Sequence, residues 1–279
     1  MKEFSINIKG TLLLVEEPLV MGILNVTKDS FFDGGVYSST DLAMQQAKKM
    51  IDEGVNIIDV GGASSRPGAD EVSLEEELKR VIPVIEMLSK KFLNIPISID
   101  TNKAEVARQA VHIGASIVND ISAGDDDKHM LETVSKLRVP FVAMHKKGSP
   151  KTMQKNPQYE DVVQEVLDYF IQKVDECRKH GIIDLIIDPG FGFGKTVEHN
   201  YLLLKHLNVF SEVLNVPILA GLSRKSMINK VLNTTPNESL NGTTALNMVA
   251  LLNGANILRV HDVKEARQVV QLFEKLKNS

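Results

Sequence analysis

The sequence predicts an α/β fold, a (β/α)8 TIM barrel with an N-terminal β-hairpin, formed as a single domain over residues 1–279. The first observation is that eight short apolar runs recur with helical stretches between them. Such near-continuous apolar runs are typical of parallel strands buried on both faces. The second is the length of 279 residues, which suits one barrel although a simple length rule suggests two domains. A doubly wound sheet is the alternative, which eight strand–helix units disfavour.

The predicted elements begin with FSINIKGTLLLVEE, two alternating runs around Lys9-Gly10 that indicate a β-hairpin. The eight strand-like runs follow in the order LVMGILNV, NIIDVGG, IPISIDT, ASIVND, PFVAMH, DLIIDPG, VPILAGLS and ANILRVH. Three segments between or after them have the spacing of capping boxes and predict helix starts. These segments are Ser73 to Glu76, Asn102 to Glu105 and Asp262 to Glu265.

The composition limits the classes of partner. With 32 basic and 36 acidic residues, the net charge of -4 gives no reason to expect binding to nucleic acid or to an anionic membrane. Cys177 is the one cysteine, so no internal disulfide forms, which fits a reducing cytoplasm. The N-terminus lacks the apolar run of a signal peptide, and no stretch reaches about 18 apolar residues. We therefore expect a cytoplasmic protein with small-molecule partners.

The glycine-rich stretch DPGFGFGKT, residues 188–196, superficially resembles a phosphate-binding loop. A P-loop would require glycine at position 189, where Pro189 stands and has no N–H to donate. A dinucleotide-binding loop would require glycine at position 195, where Lys195 stands. The stretch therefore predicts neither class of nucleotide enzyme.

Polar residues end all eight runs, and the functional groups of such barrels come from the carboxyl ends of the strands. In order they are Asn25; Asp59 with Gly61-Gly62; Asp100; Asn119-Asp120; His145; Asp188; Ser223-Arg224-Lys225; and Arg259 with His261. The alternative is that each residue caps a helix or fixes a turn, which we favour for Asp59, Thr101, Asn102 and Asp262. Capping does not explain why cations gather after the seventh and eighth strands, where barrels commonly bind phosphate. Arg66, after the second strand, can reach the same mouth of the barrel.

The opposite arc of the mouth has a different character. Asp100, Asn119 and Asp188 supply carboxylate and amide oxygens, which accept hydrogen bonds from N–H groups. We expect these residues to bind a flat heterocycle rich in N–H and amino groups, beside the phosphate of the same ligand. Cys177 and His180 form a Cys-x-x-His pair, but two ligands without partners are weak evidence for zinc.

Eight motifs in order carry a resemblance to the dihydropteroate synthase family. They are GILNVTKDSFFDGG, DVGGASSRPGA, ISIDT, IVNDIS, MHKKGSPKTMQ, DPGFGFGKT, GLSRKS and LRVHDV. The family is a transferase of folate biosynthesis that joins a dihydropterin carrying a CH2-diphosphate to 4-aminobenzoate and releases diphosphate. The resemblance implies a magnesium cofactor, inhibition by sulfonamides that mimic aminobenzoate, and a homodimer.

The resemblance also implies a role for individual residues. Asn25 would meet the metal and the diphosphate. The diphosphate would further be held by Arg66, Arg259 and His261, and the pterin by Asp100, Asn119, Asp188 and Lys225, with Met144 and Phe193 packed nearby. The 4-aminobenzoate would contact Phe31, Ser65, Pro67, Ser223 and Lys225. Thr27, Asp29 and Asp33 would belong to a mobile first loop, and DPGFGFGKT would be a turn beside the pterin.

The chain departs from the family pattern at Lys28, Phe32, Ala63 and Ser65, of which Ser65 keeps the hydroxyl of the usual threonine. One rival is a methyltetrahydrofolate–corrinoid methyltransferase, which would share the pterin-side residues but has no diphosphate for the cations to hold. A rival of another class is a catalytically inactive pterin-binding or scaffold protein. Release of diphosphate only when both substrates are present would exclude both rivals.

Overall fold

The computed structural model describes residues 4–8, 10–27, 39–64, 71–148 and 152–279. The predicted hairpin is confirmed. Strands β1 (Phe4–Ile8) and β2 (Thr11–Val15) pair antiparallel, with Phe4 opposite Val15 and Ile8 opposite Thr11. Gly10 takes a φ of 84° at the turn, a backbone conformation that side chains beyond glycine rarely adopt.

The eight predicted runs all form strands of one parallel sheet. They are β3 (Leu19–Asn25), β4 (Ile57–Gly61), β5 (Ile97–Asp100), β6 (Ile117–Asp120), β7 (Phe141–Met144), β8 (Leu185–Asp188), β9 (Leu219–Ala220) and β10 (Ile257–Val260). The sheet order is β8-β7-β6-β5-β4-β3-β10-β9. A parallel bridge between Ile187 and Ile218 joins the two ends of this order. The sheet is therefore a closed barrel, and the doubly wound alternative is excluded.

Helices follow the strands around the outside of the barrel. They are α1 (Ser39–Asp52), α2 (Leu74–Lys91), α3 (Ala104–Ile113), α4 (Met130–Leu137), α5 (Val162–Lys179), α6 (Val197–Lys205), α7 (Leu207–Leu214), α8 (Ser226–Leu232), α9 (Leu240–Leu252) and α10 (Val263–Lys277). Pro236–Glu238 form a short 3-10 helix. Within the described ranges, every helix is too short or too polar to cross a bilayer.

Only one of the three predicted capping boxes starts a helix by its side chain. Ser73 Oγ accepts from the backbone N–H of Glu76 at 3.2 Å and caps α2. At Asn102 the predicted helix start is confirmed, because α3 begins at Ala104, but the predicted cap is wrong: Lys103 precedes α3 without a side-chain cap and Asp127 accepts from Ala104 N instead. At Asp262 the helix start is likewise confirmed, because α10 begins at Val263, but the predicted cap is wrong: the carboxylate binds Arg224 and does not cap the first turn.

The interior of the barrel is built from layers of side chains, and these layers determine where the site lies. Side chains two residues apart point to the same face of a strand, so alternate strands contribute one layer each. Ile57, Ile117, Ile186 and Ile257 form one buried apolar layer, with Ile6 and Val15 of the hairpin in the same cluster. Two residues further along the same four strands stand Asp59, Asn119, Asp188 and Arg259. The next layer toward the carboxyl ends is thus polar.

Candidate active site

Asp59 lies at the centre of the polar layer and is fully buried. Its Oδ2 accepts from Nδ2 of Asn119 at 3.0 Å and from Nε of Arg259 at 2.7 Å. The side chain caps no helix, so the capping interpretation of this residue was wrong. A buried carboxylate at this depth is tolerated because a cation and an amide share its charge.

Arg259 also binds the neighbouring carboxylate of Asp100, with 2.5 Å from Nη2 to Oδ2. Burial raises the pKa of Asp100 to about 7, although Arg259 lowers it and Asp59 raises it further. A methyl group at Gly61 would stand 3.6 Å from Oδ1 of Asn25 and 3.7 Å from Oδ2 of Asp100. Asn25, Asp100 and Arg259 therefore lie together at this side of the mouth.

Asp188 and Lys225 form the facing side. Burial raises the pKa of Asp188, and Oδ1 accepts from the backbone N–H of Gly190 at 2.8 Å. Lys225 Nζ donates to the carbonyl of Phe191 and lies 4.7 Å from the centroid of the Phe193 ring. Burial lowers the pKa of Lys225 to about 8, against the charge of Asp188.

Gly221 leaves a gap between these two charged groups. It stands two residues after Leu219, a side chain of the barrel interior, so its missing side chain would point inward. A Cβ at Gly221 would lie 3.6 Å from Oδ2 of Asp188 and 3.9 Å from Nζ of Lys225. Both groups therefore lie within 4 Å of one point that a side chain at this position would occupy.

The glycine-rich turn at 190–194 presents its carbonyls to side chains. Lys195 Nζ donates to the carbonyls of Gly190 at 3.0 Å and Phe193 at 3.1 Å, and lies 2.9 Å from Nδ1 of His145. Gly190, Gly192 and Gly194 all have positive φ, and a Cβ at Gly190 would approach the His145 carbonyl to 1.9 Å. Close packing of backbone against backbone therefore requires glycine there.

His145 and Lys195 both contact this turn. Burial, and then the charge of Lys195, lower the pKa of His145 to about 2. Burial likewise holds the pKa of Lys195 well below its ordinary value. Among the described residues, no three His, Cys, Asp or Glu side chains are grouped to hold a metal ion.

Two further pairs lie at the rim after the last two strands. Ser223 Oγ is 3.0 Å from Nδ1 of His261 and accepts from the backbone N–H of His261 at 3.2 Å. Arg224 binds Asp262 through Nε at 3.0 Å and Nη2 at 2.6 Å. Of the predicted cations, Arg224 is therefore committed to a structural ion pair.

The fold gathers most of the predicted site residues at the carboxyl ends of the strands. This group comprises Asn25, Asp100, Asn119, Met144, Asp188, Phe193, Ser223, Lys225, Arg259 and His261. Phe31, Ser65, Arg66 and Pro67 lie outside the described residues, as do Lys28, Asp29, Phe32 and Asp33. Their predicted roles stay predictions.

Sequence reasoning missed two buried residues that organise the site. Asp59 holds Asn119 and Arg259, and Lys195 holds the turn after Asp188. The signal for Asp59 was its position two residues after Ile57, which repeats the spacing of Ile117 to Asn119 and Ile257 to Arg259. Lys195 gave no comparable signal, because its partners are mainly backbone carbonyls.

The donor set at Asn25 fits a magnesium ion in one respect. Its amide oxygen and a carboxylate oxygen of Asp100 lie 3.6 Å and 3.7 Å from the same point, the Cβ position at Gly61, and Mg²⁺ prefers oxygen ligands. The ion usually takes few ligands from the protein and more from substrate phosphates and water. A single amide oxygen with a neighbouring carboxylate matches that mode of binding.

The fold and this mouth define a class of protein: a (β/α)8-barrel enzyme whose strand ends carry hydrogen-bond acceptors on one arc and cations on the other. Residues 21–261 match the family described as pterin binding enzyme. The dihydropteroate synthase of Escherichia coli (strain K12) is 49% identical over 268 residues, which cover 95% of this chain and 94% of the relative.

Solved structures agree with that match. The Yersinia pestis dihydropteroate synthase in complex with a sulfonamide drug is 42% identical, with a TM-score of 0.93 over 99% of this chain and 100% of that one. The Xanthomonas albilineans dihydropteroate synthase in complex with 7,8-dihydropteroate is 38% identical, with a TM-score of 0.89 over 99% and 100% of the two chains. The chain belongs to the pterin-binding enzyme family, among its dihydropteroate synthases.

Proposed function

We propose that this transferase condenses (7,8-dihydropterin-6-yl)methyl diphosphate with 4-aminobenzoate, giving 7,8-dihydropteroate and diphosphate in folate biosynthesis. The observation that carries the proposal is the set of acceptors at the mouth, Asp100, Asn119 and Asp188, facing the donors Lys225 and Arg259. The similar Xanthomonas albilineans enzyme holds 7,8-dihydropteroate, the product of this reaction.

The pterin ring matches the acceptor arc. Oδ1 of Asp188 is held by Gly190, which leaves Oδ2 beside the gap at Gly221 to accept from ring N–H and amino groups. Lys225, beside the same gap, donates to the ring carbonyl or a ring nitrogen lone pair. Met144 is buried next to Gly190 and gives the ring an apolar surface. A site built from buried hydrogen-bonding groups discriminates strongly against rings that lack their partners.

The anion side stabilises the leaving group. When the C–O bond breaks, its electron pair stays on the diphosphate, and the carbon left behind shares positive charge with the pterin nitrogens. Arg259 and His261 face the developing negative charge, and we propose that Arg66 joins them. Asn25 would hold Mg²⁺, which supplies further positive charge to the diphosphate.

The amine needs positioning more than activation. The nitrogen of 4-aminobenzoate is neutral at pH 7, so its lone pair is free to form the C–N bond and the nitrogen then loses a proton. Ser223 and Lys225 lie at the rim beside the pterin-side residues, and we propose that they contact aminobenzoate. We extend this contact to Phe31, Ser65 and Pro67, and we expect sulfonamides to compete for the same place.

The test is diphosphate release with each substrate omitted in turn. Release that requires both substrates, with one dihydropteroate formed for each diphosphate, supports the proposal. Binding of the pterin without turnover would instead indicate an inactive pterin-binding protein. Methyl transfer from methyltetrahydrofolate to a corrinoid, without diphosphate chemistry, would identify the methyltransferase rival.

We further propose a cytoplasmic homodimer. The support for a dimer is a group of exposed apolar side chains on the neighbouring helices α8, α9 and α10, namely Val231, Leu232, Val249, Leu252, Leu272 and Leu276. Such patches are typical of interfaces. Light scattering should give twice the mass of the chain, and Leu252→Asp should halve it. A monomeric wild-type chain would contradict the dimer.

A further inference from the structure

We propose that Asp59 is a positioning residue for pterin recognition, acting through Asn119 on one side and Arg259 on the other. This inference rests on the proposed function. The structure supports it by burial, geometry and the chemistry of the groups involved.

Asp59 itself has no access to a ligand. Its exposed fraction is 0%, compared with 5% for Asn119, and the exposed fraction of the Arg259 side chain is 19%. It stands beneath the mouth, in the same layer as the two residues that it binds. Any effect of Asp59 on substrate binding must therefore pass through its hydrogen-bond partners or through its charge, which raises the pKa of Asp100.

The contact with Asn119 fixes the orientation of the amide. A carboxylate only accepts hydrogen bonds, so the group of Asn119 that faces Asp59 must be the NH2. Flipping the amide would set two oxygens against each other. The amide oxygen and the second N–H are then left for a ligand. This donor–acceptor pair complements an amino group next to a ring nitrogen, which is the edge that an aminopyrimidine presents.

The contact with Arg259 orients the guanidinium in the same way. Nε is committed to Asp59 at 2.7 Å and Nη2 to Asp100 at 2.5 Å. The two N–H groups of Nη1 and the second N–H of Nη2 are the donors that these two contacts leave for an anion. The same carboxylate oxygen of Asp59 holds both partners, so the pterin arc and the anion arc share one anchor.

The other carboxylate oxygen of Asp59 is further evidence for a positioning role. Oδ1 is buried and has no hydrogen-bond partner among the described residues. A carboxylate that served only stability would be expected to use both oxygens, because an unsatisfied buried acceptor is costly. The arrangement favours placement of Asn119 and Arg259 over complete satisfaction of Asp59.

A double-mutant cycle tests the link to Asn119. The ligand is a 6-hydroxymethylpterin without diphosphate, titrated by calorimetry into the full chain. Asp59→Asn keeps the shape and removes the charge, and we expect it to lower affinity about tenfold. In an Asn119→Ala background the same change should cost no more than about threefold, because the route through Asn119 is gone and the route through Arg259 alone remains. Equal losses in both backgrounds would overturn the inference.

Asp262→Asn is the control, since it removes the carboxylate of a partly buried carboxylate–arginine pair at the rim without touching Asn119 or Arg259. It should leave pterin affinity within about twofold of wild type. A comparable tenfold loss in this control would show that any ion pair at the rim has the effect, and would overturn the specific role of Asp59.

A second measurement uses the unmodified chain and so does not depend on the folding of a variant. One side-chain N–H of Asn119 should exchange slowly with solvent by NMR, both free and with pterin bound, because Asp59 retains it. Rapid exchange of both protons would contradict the inference. If the wild-type chain does not bind the pterin at all, the proposed function fails and this inference with it; binding with additive losses refutes the inference alone.

Discussion

The guanidinium of Arg259 is bound to the carboxylate of Asp100, with 2.5 Å between Nη2 and Oδ2. The first residue was expected to hold the diphosphate and the second the pterin ring. Their contact means that the two halves of the site are connected before any substrate arrives. An anion that attracts Arg259 therefore competes with Asp100 for the same donor.

Asp100→Asn should weaken pterin binding at least about tenfold, because a charged acceptor becomes a neutral amide with donors of its own. Affinity for pyrophosphate should not fall, since Arg259 loses a competing carboxylate. Calorimetry with each ligand separately measures both effects. A parallel loss of both affinities would show that Asp100 is not a pterin acceptor, or that the variant is misfolded.

Pterin affinity should pass through a maximum between the pKa values of Asp100 and Lys225. Asp100, with a pKa raised to about 7 by burial, becomes an ionised acceptor as the pH rises through that value. Lys225, with a pKa lowered to about 8 by burial, loses its proton above that value. Fluorescence titration from about pH 6 to about pH 9 should show both limbs.

Lys225→Met should remove the alkaline limb of that profile and leave the acidic one. Lys230→Met, on the exposed face of α8, should leave both limbs in place. An alkaline limb that persists in Lys225→Met would assign it to another group.

Arg259→Ala should lose pyrophosphate affinity and also lower the free energy of unfolding. It leaves the buried carboxylate of Asp59 without its cation, which costs about 3–5 kcal/mol when a buried pair is broken. The double variant Asp59→Asn with Arg259→Ala should regain part of that stability, as measured in urea, but none of the anion affinity. Recovery of pyrophosphate binding in the double variant would contradict a direct role of Arg259.

Gly221→Ala should block the pterin without harming the fold. Its backbone does not need glycine, so the free energy of unfolding should stay the same or rise by about 0.4–1 kcal/mol. The added methyl would lie within 4 Å of both Asp188 and Lys225, where the ring is expected. Pterin affinity should fall at least about tenfold, while pyrophosphate affinity is the internal control and stays unchanged. Undiminished pterin binding would place the ring elsewhere.

Lys195→Met should destabilise the turn after Asp188. The change leaves the Phe193 carbonyl and Nδ1 of His145 without their donor, and we expect about 1–3 kcal/mol from urea unfolding. Lys230→Met is the matched control, because exposed lysines usually contribute within about 0.5 kcal/mol. Equal free energies of unfolding for the two variants would show that the buried side chain of Lys195 does not stabilise the turn.

The sequence predicted the barrel and its strand ends because both depend on local signals. Buried parallel strands such as PFVAMH are apolar throughout, and the polar residue at each end marks the functional edge of the sheet. The hairpin was equally visible from alternation around Lys9-Gly10.

Pairing between distant residues was not visible. Asp59 and Arg259 are 200 positions apart, and only closure of the barrel brings them together. Asp262 has the spacing of a capping box. Its carboxylate nevertheless binds Arg224, which follows the preceding strand β9, and not the backbone N–H groups of the first turn of α10. Local patterns describe what a side chain can do, whereas tertiary contacts decide which partner it takes.

A crystal structure of the chain with 7,8-dihydropteroate bound would test the central claim most directly, because that claim assigns each arc of the mouth to one part of the ligand. We predict that the pterin ring lies against Met144, with its N–H groups within hydrogen-bond distance of Asp100, Asn119 and Asp188 and with Lys225 on its opposite edge. The aminobenzoate part should lead toward Ser223. A pterin ring bound away from Asp188 and Asn119, or outside the mouth of the barrel, would contradict the account.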